Sequence, residues 1–213
     1  MAFAVGLTIP VAVLAYLVRA QASPVVDLDH TSVTAGTAVT RAEPALHSAL
    51  LAWQLALQAR WVNLAVTVLC LWVWRRHGLR TRATWAFVTL MVAWGLNLVV
   101  KEAVQRARPV VADSVVHAPG FSFPSGHAMN TAVAGFVVTA LLWPLLGRRG
   151  RAGVLAGVSA VVVITGVDRV MLGAHYPSDV VAGVLLGGAT AGGSLLGYLG
   201  WNPAHPADLP EGA

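Results

Sequence analysis

Apolar runs close to membrane-spanning length, separated by short polar connectors, set the strongest limit on what this chain can become. Six of them cover roughly residues 2–18, 61–74, 84–100, 127–147, 152–171 and 178–200. A helix needs about 20 apolar residues to cross the hydrocarbon core of a bilayer. Only 11% of the 213 residues are charged and 57% are hydrophobic, against about 25% charged in a typical soluble domain. The pattern predicts an all-α, six-helix transmembrane bundle forming one integral membrane domain over residues 1–213. The second run is short and borrows residues from the stretch before it. The first is read as a retained helix: "AQA" at 20–22 resembles a cleavage site, but no basic residue precedes the run and Arg19 lies on the wrong flank.

Charge placement gives an orientation and removes some functions. "RRHGLRTR" at 75–82 and "GRRGR" at 147–151 carry seven arginines and no acid. With six alternating spans both fall on one side, which the positive-inside rule makes cytoplasmic, together with the termini. Trp72, Trp74, Trp85, Trp143 and Trp201 cluster near that face as an interfacial belt. The net charge of +5 does not point to nucleic acid, because the arginines sit in loops with no aromatic-interleaved basic face. Cys70, the single cysteine, reads as a small buried hydrophobe. Residues 21–60 read as an outer connector whose end, "PALHSALLAWQLALQAR", extends the second helix or lies on the membrane surface. Glycines four apart in 178–200 predict close helix packing, or the seam of a homodimer. The proline-rich tail 202–213 reads as flexible.

The polar residues converge on the opposite, outer side, at the ends of helices 3 to 6. "KEAVQRARP" at 101–109 places Lys101 and Arg108 seven apart, on one helical face, with Pro109 ending the helix. Glu102 and Arg106, four apart, are placed to pair. The bland alternative for Lys101 and Arg108 is a pair of cations snorkelling to water. "FSFPSGHAMN" at 121–130 interrupts an oily sequence with Pro124, Ser125, Gly126 and His127 at the mouth of a helix. The first amides of a helix lack intrahelical partners and attract anions. Ser125 serves as a cap or as an anion donor. His127, in the first turn, can give or take a proton near neutral pH. "DRVMLGAHYPSD" at 168–179 ends one helix with Arg169 and sets His175 in a short loop four residues before Asp179. That carboxylate can fix the tautomer of the imidazole and leave the other nitrogen to attack; the same pair is also a possible start of a metal site.

These three motifs, in this order, resemble the type-2 phosphatidic acid phosphatase family, over about residues 84–200. The resemblance implies a membrane-bound lipid phosphatase that splits a phosphomonoester or pyrophosphate through a phosphohistidine. It implies that His175 attacks phosphorus, Asp179 orients it, and His127 protonates the leaving oxygen and then activates water. Lys101, Arg108, Ser125, Gly126 and Arg169 would hold the phosphoryl oxygens, with no metal and no cofactor. The site would face the periplasm or exterior of the cell membrane. A phosphotransferase using the same intermediate, and a non-catalytic transporter or binding protein, are the alternatives. In one departure Asp168 stands where the family often has serine, placing a negative charge beside Arg169.

Overall fold

The computed structural model describes residues 2–110 and 119–201, which form eight α-helices and a single 3-10 turn, Trp143–Leu145, with no strand among the described residues. The helices are α1 (Ala2–Arg19), α2 (Ser23–Ala42), α3 (Pro44–Ala56), α4 (Ala59–His77), α5 (Arg80–Val104), α6 (Gly126–Leu142), α7 (Arg148–Met171) and α8 (Pro177–Trp201). Four of them, α5 to α8, are long and apolar enough to cross a membrane alone, α6 together with the 3-10 turn that follows it. A bend of 85° joins α1 to α2, and one of 50° joins α3 to α4; with each bent pair taken as one span, the count is six.

The stretch 21–60 departs from the reading as an outer connector, because most of it is helix. Prolines sit in the first turns of α2 and α3, where a missing N–H costs nothing. The polar α2 satisfies its own hydroxyls: Thr37 Oγ1 donates to the carbonyl of Val33 at 2.8 Å. Thr40 Oγ1 donates to the Met171 carbonyl at the end of α7, also at 2.8 Å. At the other end of the same helix, Asp29 accepts from the Ser178 amide that opens α8. The 85° bend thus lays α2 across the outer ends of α7 and α8. Nor is α3 a plain extension of α4, since the chain breaks at Leu57 and Gln58 between them.

Helix α6 is the hub of the bundle and touches α4, α5, α7 and α8. Leu90 of α5 and Met129, Val133, Val137 and Leu141 of α6 form its fully buried spine. Two glycines of α8 allow the tightest approach. A Cβ at Gly183 would lie 2.7 Å from the Ser125 carbonyl, and one at Gly187 would lie 2.9 Å from that of Met129. This small-residue face is therefore used inside the chain. Of the tryptophans assigned to a belt, Trp72, Trp74 and Trp143 are exposed. Trp85 turns inward instead and donates to Ser194 Oγ at 2.9 Å. The side chain of Trp201 and the tail 202–213 lie outside the described residues.

Candidate active site

The outer end of α5 differs from the expected continuous helix. α5 stops at Val104, where Gln105 adopts a left-handed φ of 52° and its amide bonds the Lys101 carbonyl. Arg106 and Arg108 therefore leave the helix and run along the segment beyond it, so Lys101 and Arg108 do not share a helical face. Arg106 does not pair with Glu102. Its guanidinium donates to Asp179 Oδ1 at 2.6 Å, to Ser178 Oγ at 2.7 Å and to Asp29 Oδ2 at 2.7 Å. The same group lies 4.1 Å from the centroid of the Tyr176 ring. Burial pulls Arg106 toward losing its proton, but Asp179 and Asp29 outweigh that and hold its pKa above the ordinary arginine value.

Lys101 does reach the loop before α6. Its ammonium donates to the carbonyls of Phe121 at 2.8 Å, Ser122 at 3.3 Å and Pro124 at 2.8 Å. Three protons meet three carbonyls, so the lysine pins the loop that delivers Ser125 and Gly126. Ser125 is fully buried and caps α6 weakly, accepting from the Ala128 amide at 3.5 Å. Its own amide donates to the Asp179 carbonyl at 2.9 Å, tying the second motif to the third. Gly126 opens α6, and amides in that first turn have no intrahelical acceptor. His127 follows, within electrostatic reach of Arg169, His175 and Arg108, and with the Gln54 backbone beside its ring. Its Nε2 is buried without a hydrogen-bond partner.

The third motif turns at the end of α7. Gly173 takes a φ of 67°, a left-handed step that suits glycine. The amides of Ala174 and His175 then close back onto the Arg169 carbonyl. His175 is 4% exposed. Its Nδ1 faces Asp179 Oδ2 at 3.6 Å and Ser122 Oγ at 3.5 Å. Its Nε2 faces Arg108 NH1 at 3.3 Å. Arg108 is itself fixed by the carbonyls of Gly120 and Ala174, at 3.0 and 2.8 Å. Burial pushes the Arg108 pKa below its usual value, opposed by Asp179 and aided by Arg169. Burial also dominates His175, whose pKa falls to about 4 against the pull of Asp179 in the other direction. The imidazole is therefore neutral at pH 7, with a lone pair on one nitrogen.

Asp179 is fully buried and densely held. Besides Arg106, it accepts from Ser122 Oγ and from the Tyr176 amide at 2.9 Å. Arg169 is 2% exposed; its Nε and NH2 both bond Asp168 Oδ2, and its NH1 donates to Gln54 Oε1 at 2.8 Å. The carboxylate at 168 is thus a direct counter-ion of the motif arginine. The structure brings together all eight residues singled out in the sequence. It adds five that were missed: Asp29, Gln54, Arg106, Ser122 and Ser178. Arg106, Ser122 and Ser178 stand inside the three motifs, where Arg106 was placed with Glu102 and the two serines were given no role. For Asp29 and Gln54 no local signal existed, because their partners lie far along the chain. No group of three or more His, Cys, Asp or Glu placed to hold a metal ion occurs among the described residues.

Two histidines and a carboxylate thus lie among buried arginines at one end of a multi-pass helical bundle. The family model of the PAP2 superfamily matches residues 82–202, more than half of the chain, and the chain belongs to that superfamily. Phosphatidylglycerophosphatase B of Bacillus subtilis (strain 168) is 41% identical over 116 residues, covering 50% of this chain and 55% of that protein. Lipid A 1-phosphatase of Rhizobium etli is 39% identical over 111 residues, covering 48% and 44%. Decaprenylphosphoryl-5-phosphoribose phosphatase of Mycobacterium tuberculosis (strain H37Rv) is 36% identical over 118 residues, covering 53% and 60%. The chain thus spans about half the length of the curated relatives it matches. The crystal structure of a transmembrane PAP2-type phosphatidylglycerolphosphate phosphatase from Bacillus subtilis superposes with a TM-score of 0.77 at 25% identity, covering 95% of this chain and 97% of that one. The fold is that of a multi-pass membrane protein.

Proposed function

We propose that this chain is an integral membrane phosphatase that hydrolyses a lipid phosphate through a phosphohistidine on His175. The four relatives named above are all phosphatases, and each name specifies a lipid or lipid-linked phosphate. The observation that carries the reading is the environment of His175. Its Nδ1 faces a carboxylate locked by other donors, and its Nε2 faces the cation Arg108. With the proton on Nδ1, the Nε2 lone pair attacks phosphorus. The P–O bond to the lipid breaks as His127 passes a proton to the leaving oxygen. Water, deprotonated by His127, then attacks the phosphohistidine; the N–P bond breaks, and inorganic phosphate leaves. Asp179 stabilises the positive charge that His175 gains in the first step.

Charge on the transferred phosphoryl group is offset by Arg108, Arg169 and the first amides of α6, since phosphoryl transfer depends mainly on positioning and field. Lys101 acts by setting the loop and by adding its charge, and Ser125 by starting α6. Phosphate release from a lipid substrate in EDTA, lost on His175→Ala, supports the mechanism; full turnover by that variant overturns it.

The arginine-rich connectors at 75–82 and 147–151 lie at the bundle end opposite the site, which supports an outward-facing site in the cell membrane. Val110 is 95% exposed and Cys70 is buried, so Val110→Cys supplies a clean label. Reaction with an impermeant thiol reagent in intact cells is the expected result, and protection until lysis reverses the topology. A homodimer through α8 would have to avoid Gly183 and Gly187, which face α6, and use the open face at Gly197; cross-linking from that position tests it.

A further inference from the structure

Helices α7 and α8 both pack on α6 but touch each other far less. An apolar groove of about 660 Å³ lies open between the three, in the half of the bundle away from the site. Along α6 it runs from Trp143 down to Ala132, about 16 Å of helix rise. That is roughly half of the ~30 Å hydrocarbon core, the depth of one leaflet. Small residues, Ala132 and Ala140 of α6 and Gly188 of α8, leave the groove its width. Beyond Val162, Val163 and Val184 it continues into a second apolar hollow bordered by α2, and no charged side chain lines that part. At the opposite end the mouth is marked by Trp143, 40% exposed, with the Arg151 guanidinium 4.8 Å from its ring centroid.

Arg82, near the start of α5, is the charged residue on the groove wall. It is not free to snorkel to water. Pro144 has no N–H, so the Ala140 carbonyl four residues earlier lacks its helical donor. Arg82 NH1 donates to that carbonyl at 2.9 Å, which holds the guanidinium against the groove. Its Nε is buried without a hydrogen-bond partner. The sequence holds no Asp or Glu from 44 to 101, from 114 to 167 or from 180 to 207, so the helices that border the groove offer no carboxylate at this depth. A cation with an unfilled donor in an apolar wall is costly until an anion completes it. We propose that the groove binds one intact anionic phospholipid from the leaflet on the arginine-rich side. An acyl chain lies along α6 between α7 and α8, and the headgroup phosphodiester sits at Arg82, with Arg151 adding charge from the mouth. A guanidinium matches phosphate geometry, and basic pockets between spanning helices favour anionic headgroups. A second copy of the chain is the poorer occupant, because side-by-side packing would set one arginine-rich end against another. The occupant does not depend on the reaction at the other end of the bundle.

The test uses the full-length protein, stripped of lipid in detergent and titrated with phosphatidylserine or with phosphatidylcholine of the same chains. Bound lipid is counted by native mass spectrometry. Both probes are phosphodiesters, so a phosphomonoesterase leaves them intact. One phosphatidylserine should bind about tenfold more tightly than phosphatidylcholine, the size of one charge-assisted hydrogen bond. Arg82→Gln should bring the two affinities to within about twofold of each other, the same tolerance marking the loss of one such bond, and Arg82→Lys should keep most of the preference. If Arg82→Gln does not fold, Leu155→Glu carries the comparison: that side chain is exposed, lines the groove and lies one turn inside Arg151, so its charge should abolish the preference. Equal affinity for the two lipids in the wild type overturns the site, as does a preference that survives Arg82→Gln or Leu155→Glu. A dimer that forms through this face and excludes lipid overturns it as well.

Discussion

Helices α5 to α8 and the N-terminal helices α2 and α3 meet at the same site but bring different things to it. The first group, with the segments that connect its helices, carries both histidines, Asp179, Lys101 and three arginines. The second carries Asp29 and Gln54, which hold two of those arginines in place. Arg106 is the link: one guanidinium spans Asp29 on α2 and Asp179 on α8. A family match that begins at residue 82 thus omits Asp29 and Gln54, the partners that α2 and α3 supply. A buried arginine needs partners on all its donors, and a scaffold that places only the reactive groups leaves it short.

The contrast between reactive and framing residues can be broken most sharply at the histidines. His175→Ala should lower phosphate release by on the order of 10⁴-fold or more, as removal of a nucleophile does elsewhere, with the unfolding midpoint in detergent little changed. His127→Gln should cost about 10²–10⁴-fold, the range for general acid–base catalysis, and allow a phosphohistidine to accumulate, seen as acid-labile label on the protein.

Framing residues should show the opposite balance, with stability lost along with rate. Asp29→Leu leaves Arg106 short of one partner in a buried pair and should destabilise the fold by about 3–5 kcal/mol, read as a lowered thermal midpoint. An unchanged midpoint would make α2 a bystander. Asp168→Ser should free Arg169 and raise kcat/KM for a lipid pyrophosphate severalfold, since the arginine regains charge for the substrate; a fall would mean that Asp168 positions Arg169 more than it neutralises it.

The smallest effect is one of pH. His175 is depressed from 6.5 to about 4 by burial, so the folded state favours the neutral ring. Its contribution to stability is complete above pH 6.5 and is lost as the pH falls through 4. The acidic limb of kcat/KM against pH should accordingly lie near 4; a limb near 6.5 would place His175 in contact with water.

The motifs were legible because their chemistry is local: Pro124 to His127 and His175 to Asp179 each act within one or two turns of chain. Helix periodicity misled where it was extended too far. The pairing of Glu102 with Arg106 and the shared face of Lys101 and Arg108 assumed a helix through residues 106 and 108, but Gln105 turned left-handed and sent Arg106 toward Asp29 and Asp179. In the same way, the low hydropathy of 23–42 concealed a helix, because threonine hydroxyls returned to the backbone make a polar helix self-sufficient.

The sequence by itself determined the solvent, the near-spanning helices and which polar residues gather as candidates for the site, since hydrophobicity and side-chain chemistry are properties of residues and short segments. The tertiary structure alone decided which carboxylate neutralises which arginine and how Lys101 spends its protons. Those depend on contacts between residues as far apart as Asp29 and Ser178, or Gln54 and Arg169, and no local pattern specifies a distance between helices.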